Sequence, residues 1–72
     1  MFKKLNEAQI NELIRKFNEK SEIHPTWRKG QTWFNSLRVL YPSVADYITD
    51  TENDPFYDDE KIDNFFKEIM ES

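Results

Sequence analysis

An all-α fold, a small single-domain bundle of three main helices and one short helix over residues 1–72, is what this sequence predicts. Three observations predict it. Apolar residues recur at helical spacing in three separate stretches, capping residues precede them, and no stretch alternates polar and apolar residues as a half-buried strand would. With three such stripes to bury and short connections between them, an orthogonal or irregular bundle is the expected packing.

The first helix is expected over about residues 7 to 20. Asn6 is its cap, and Gln9 at the third helical position completes a variant of the capping box. Leu5 and Ile10 have the spacing of a hydrophobic staple, after which Ile10, Leu13, Ile14 and Phe17 repeat at i, i+3, i+4 and i+7. The opposite face, with Glu7, Asn11, Glu12, Arg15, Lys16 and Glu19, mixes its charges and reads as solvated. Pro25 then drives His24 out of the helical region and ends the helix.

The second helix is expected to start at a Thr26 cap and stop at Pro42, with a stripe of Trp27, Trp33, Phe34, Leu37, Leu40 and Tyr41. Two local rules are broken in it. Gly30, the one glycine of the chain, sits mid-helix, which implies that a bulky ring or another backbone lies against it. Arg28 and Lys29 occupy a first turn whose dipole favours acids.

Ser43 with Asp46 has the form of a further capping signal, and Val44, Tyr47 and Ile48 supply one face of a two-turn helix. Residues 49–59 are dense in turn formers and acids around Pro55. Asp58 is the expected cap of the last helix, whose Ile62, Phe65, Phe66 and Ile69 repeat like those of the first, with Asp59 and Glu60 complementing its dipole.

Composition narrows the function. A chain of 72 residues buries only about 60% of the surface its unfolded form exposes, so one modest core is the limit. Aromatic residues make up 15% of it, Phe2 and Phe17 among them, and such large side chains compensate for short length. With no cysteine there are no disulfides, thiolate nucleophiles or thiolate metal sites, which fits a reducing compartment. The longest unbroken apolar run is three residues, Val39 to Tyr41, so neither a membrane partner nor a secretory segment is expected, and the location read from it is the cytoplasm.

Charge is unevenly spread. Residues 1–41 hold eight Lys/Arg against four Asp/Glu, and residues 42–72 hold two against ten, for a net charge of −4. The acidic segment either folds over the basic one or the two face separate partners.

Three surface features carry candidate function. On the second helix Arg28, Gln31, Asn35 and Arg38 form one stripe of side chains suited to base edges or to carboxylates, unless the stripe is solvated or meets the acidic loop of the same chain. In that loop Asp50, Asp54, Asp58 and Asp59 are spaced to mimic phosphates before a basic protein. A calcium loop does not fit them, because its sixth position is Pro55 and its twelfth is Lys61. Phe56 and Tyr57, outside any stripe, either fold back as a lid on the core or anchor a partner. Catalysis is not expected: His24 is the one histidine, no glycine-rich phosphate loop is present, and no serine or threonine has a nucleophile's context. No cofactor and no metal is expected either.

The array Arg28-Lys29-Gly30-Gln31, Phe34-Asn35, Pro42 and Asp54-Pro55-Phe56-Tyr57-Asp58 resembles a group of short, mostly uncharacterised proteins from tailed bacteriophages and bacterial genomes. Their pattern, R-x-G-Q-x-x-F-N followed by a proline-led short helix and D-P-F-Y-[DN], covers residues 28 to about 66. The resemblance implies a phage or prophage setting, with the host cytoplasm as location. It also implies that the two blocks are tied together, through Asn35 or Gln31 on the loop backbone and through Phe56 or Tyr57 beside Gly30. The expected function is a non-enzymatic phage-type accessory protein that binds and modulates a host or phage protein, with an acidic phosphate-mimicking surface as the means. The alternative is a small helical nucleic-acid-associated module that uses the polar stripe of the second helix.

Overall fold

The structure, a computed structural model, describes residues 3–71, and Phe2 lies outside them. Four α-helices form an all-α bundle in the order α1 (Glu7–Ile23), α2 (Lys29–Leu40), α3 (Pro42–Ile48) and α4 (Ile62–Ile69), with a 3-10 turn at Asp59–Lys61 leading into α4. No strand is present among the described residues, although Leu5 and Met70 form an isolated parallel bridge.

Helix α1 begins as its sequence dictates. The Asn6 side chain accepts from the Gln9 amide, and the Gln9 side chain accepts from the Asn6 amide, each at 2.9 Å. Leu5 and Ile10, the residues at staple spacing, are both buried in the core. The helix runs to Ile23, three residues beyond the expected end, and His24 caps it by donating its amide to the Lys20 carbonyl at 2.8 Å. Of the expected stripe, Leu13 is fully buried and Phe17 half-buried, whereas Ile14 is exposed on the rim.

Helix α2 starts later than its sequence suggests. Thr26 lies in a turn, Trp27 leaves the helical stripe to stack on His24 at 3.8 Å, and Arg28 is the N-cap without a side-chain cap bond. The reason is tertiary: an acceptor for the first-turn amides comes from Asp59, whose carboxylate receives the Gly30 N–H at 2.9 Å. Asp59, in the acidic turn that leads into α4, therefore also serves the start of α2. Burial on α2 is broader than the aromatic stripe, because Thr32 and Ser36 are also buried. Each hydroxyl donates to the carbonyl four residues earlier, at 3.0 and 2.7 Å, so neither is left unpaired.

Pro42 occupies the first turn of α3 and Tyr41 is the N-cap, so Ser43 lies within the helix and the expected capping pair does not form. Asp46, its would-be member, is ion-paired instead with Arg38 at 3.2 Å. The buried face of α3 is Val44, Ala45 and Ile48, with Tyr47 47% exposed. Asp58 caps the 3-10 turn through the Glu60 amide at 2.9 Å, as its position predicts, and α4 buries Phe65 and Ile69 with Phe66 half-buried beside them.

One core joins these faces, with Leu13, Phe34, Leu37, Ile48, Phe65 and Ile69 among its members. An aromatic chain crosses it from α1 to α4: Phe17 stacks on Trp33 at 3.9 Å, Trp33 meets the edge of Phe66 at 4.8 Å, and Phe66 that of Phe65 at 5.2 Å. Tyr41 ties α1 to the α2–α3 corner by donating its hydroxyl to Glu12 at 3.3 Å. Partial burial, and next the neighbouring Glu12 charge and that hydrogen bond, raise the Tyr41 pKa above the ordinary tyrosine value.

Candidate functional site

The loop at residues 49–59 is the least regular part of the chain and the most extensively pinned. Asp54 closes it from within, one carboxylate oxygen accepting from the Asp50 amide at 2.8 Å and the other from the Phe56 amide at 2.9 Å. Asp50 itself takes the left-handed conformation with φ 62°, which an aspartate tolerates better than most residues. The Thr51 hydroxyl donates to the Ile48 carbonyl at 2.7 Å.

Three contacts then fasten the loop to the start of α2. Arg28 donates to the Phe56 carbonyl at 2.6 Å. Gly30 donates its amide to Asp59. The fully buried Pro55 lies with its carbonyl so close over Gly30 that a Cβ there would collide with it. This is the close backbone approach that a mid-helix glycine implies. The two blocks are thus joined, but by other residues than expected. Gln31 and Asn35 are half-buried and neither bonds the loop, while Pro55 takes the place beside Gly30 assigned to Phe56 or Tyr57.

Phe56 and Tyr57 part company. Phe56 turns inward and meets the edge of Phe34 at 5.9 Å, as a lid on the core. Tyr57 is 80% exposed and is propped by the edge of Phe56 at 4.7 Å. Two shallow clefts meet at its ring. One, of about 230 Å³, is lined by Phe34, Asn35, Arg38, Thr49, Asp50, Asp54, Phe56 and Tyr57. The other, of about 200 Å³, is lined by Asp50, Thr51, Asp54, Tyr57, Asp58 and Lys61.

Of the ten residues the sequence singles out, six therefore surround one cleft: Asn35, Arg38, Asp50, Asp54, Phe56 and Tyr57. The polar stripe of α2 is not an open reading face. Arg28 is held on the loop, and Arg38 is paired with Asp46, bonded to Thr49 at 3.1 Å and placed over the Phe34 ring at 5.2 Å. Asp54, Asp58 and Asp59 each accept a backbone amide. Asp50 and Glu52 are exposed and cap nothing among the described residues. The residues that sequence reasoning missed are Pro55, buried despite its charged surroundings, and Asp59 as the distant cap of α2. The signal for both was the acid-poor, glycine-bearing first turn of α2, which required a partner from elsewhere.

Fold and site together define a small all-α protein that carries an aromatic cleft with acidic walls. No family model, no curated protein and no solved structure matches the chain. Its geometry carries the functional argument.

Proposed function

We propose that this chain is a non-enzymatic, phage-type accessory protein of the cytoplasm that binds a host or phage protein and modulates it, using the acidic surface of the 49–59 loop in place of nucleic-acid phosphates. The observation that supports this reading is the fate of the charges. Arg28 and Arg38, on which nucleic-acid binding would depend, are engaged by the chain itself, while Asp50, Glu52, Asp59 and Glu60 stay exposed. The surface that the 49–59 loop and the turn after it leave for a partner is acidic, and electrostatic complementarity then selects a basic protein and speeds the encounter.

The test is a pull-down from host lysate with the tagged protein, compared with a variant carrying Asp50→Asn, Glu52→Gln and Glu60→Gln. These positions are exposed and supply no backbone cap, unlike Asp54, Asp58 and Asp59, whose neutralisation would loosen the loop. The expected result is a captured protein that is lost from the variant, released by added salt and displaced by DNA. Full capture by the well-folded variant would overturn the acidic-surface reading. A mobility shift of DNA at low salt, abolished by charge reversal at Arg28 and Arg38, would replace it with nucleic-acid binding.

A further inference from the structure

We infer that the cleft beside Tyr57 receives an arginine side chain of the protein partner, the guanidinium lying against the Tyr57 ring and pairing with the Asp50 carboxylate. This rests on the acidic-surface reading above and goes beyond it by naming the group recognised and the place that takes it.

The cleft has an aromatic surface. Phe34, Phe56 and Tyr57 line the larger cleft, and the exposed Tyr57 ring rests against the edge of Phe56 at 4.7 Å. Planar stacking on such a ring suits a guanidinium, and the electrostatic attraction of its face suits any cation. The walls have the complementary charge. Asp50 and Asp54 line both clefts and Asp58 the second, facing Arg38 in the first and Lys61 in the second. Of these two bases Arg38 is already neutralised by Asp46, outside the cleft lining. Among the carboxylates, both oxygens of Asp54 are occupied by backbone amides, whereas the Asp50 side chain has no partner among the described residues. Asp50 is thus the acceptor available to an incoming donor. Its left-handed backbone is fixed by the Asp54 bond, which sets where along the cleft the carboxylate can reach. An arginine satisfies both elements at once, since its plane stacks and its fork donates bidentately, which a lysine ammonium does not do.

The full chain is titrated with a capped tetra-arginine peptide and followed by two-dimensional amide and aromatic NMR, with capped tetralysine and tetracitrulline as controls. Citrulline keeps the shape of arginine and lacks its charge. The expected result is shift changes concentrated at residues 50–58 and the Tyr57 ring with arginine, weaker ones with lysine, and none with citrulline. Tyr57→Ala and Asp50→Asn should each weaken the arginine peptide by about two- to fivefold. Because Tyr57 is 80% exposed, its removal leaves the fold intact, which the unchanged amide spectrum away from the loop verifies. Shifts spread over the acidic surface at large, equal response to lysine, or unchanged affinity in Tyr57→Ala would each overturn the arginine site. Those outcomes leave the pull-down result standing, whereas a pull-down unaffected by the acidic variant would remove the reading beneath both.

Discussion

Placing a methyl group on Gly30 should destabilise the protein by about 1 to 3 kcal/mol, although alanine is the better helix former by roughly 0.5 to 1 kcal/mol. On an open helical face the second effect would win. At Gly30 the added Cβ would collide with the Pro55 carbonyl oxygen and come within 3.0 Å of the Asp59 carboxylate. The first of these obstacles is main chain beneath a fully buried proline, so relief requires moving the loop and not rotating a side chain. Overpacking of this kind costs about 1 to 3 kcal/mol, and displacing the loop adds about 1 kcal/mol by stretching the Gly30–Asp59 cap. Offset by the gain in helix propensity, the net remains a loss, and Gly30→Leu should lose more. For a domain of this size 2 kcal/mol lowers Tm by about 8 to 16 °C. Thermal and urea unfolding followed by circular dichroism give the value directly. The same measurement on Asp59→Ala and on the double variant tests the cause, because a loop already released should accept the methyl at less cost, making the two losses smaller together than their sum. A Gly30→Ala protein that melts at or above the wild-type temperature would refute the close approach.

Asp59→Ala alone should cost about 1 kcal/mol in urea unfolding, the typical value of a lost N-cap, even though residue 59 lies far from α2 in sequence. Asp50→Gly should raise stability by about 0.5 kcal/mol, since glycine accepts a φ of 62° without a Cβ penalty; a fall would show that the Asp50 side chain itself holds the turn. Alkaline unfolding should involve Tyr41. Its folded pKa is raised, so the stability it contributes is complete below the ordinary tyrosine pKa and is lost as pH rises through the raised value. Tyr41→Phe should therefore flatten the fall in Tm above about pH 10, and an identical pH profile would show that the phenol plays no part.

Sequence and structure agree where the determinants are local. Asn6 and Gln9 bond within a single turn, and Leu5 and Ile10 beside them are buried as their spacing predicts. Asp58 acts two residues away and is equally legible. Disagreement arises where a distant group competes. Thr26 and Ser43 have good capping chemistry, but an aspartate 29 residues along the chain from Gly30 serves α2, and Pro42 with its fixed φ starts α3 two residues early. Thr32 and Ser36 were hidden for another reason: their hydroxyls bond back along the helix, so polar residues fill core positions without cost to hydrogen bonding. For the site, type and position were readable, since six candidate residues do meet at one cleft. What pattern could not show is which arginines the loop consumes, because that depends on where the carbonyl of Phe56 comes to rest.

The seam between the two ends of the helical array bears on how the chain is made. Leu5 donates to the Ile69 carbonyl at 2.7 Å and accepts from the Glu71 amide at 3.0 Å, so the segment before α1 is tied to the segment after α4. During synthesis α1 can coil as soon as its own caps exist, yet the bonding partners of Leu5 appear only when residues 69–71 have been translated. Until then Phe65 and Ile69 are absent from the core they share with Leu13, Leu37 and Ile48. A version of the chain cut before α4 should thus be helical but open to proteases, and restoring α4 should close it.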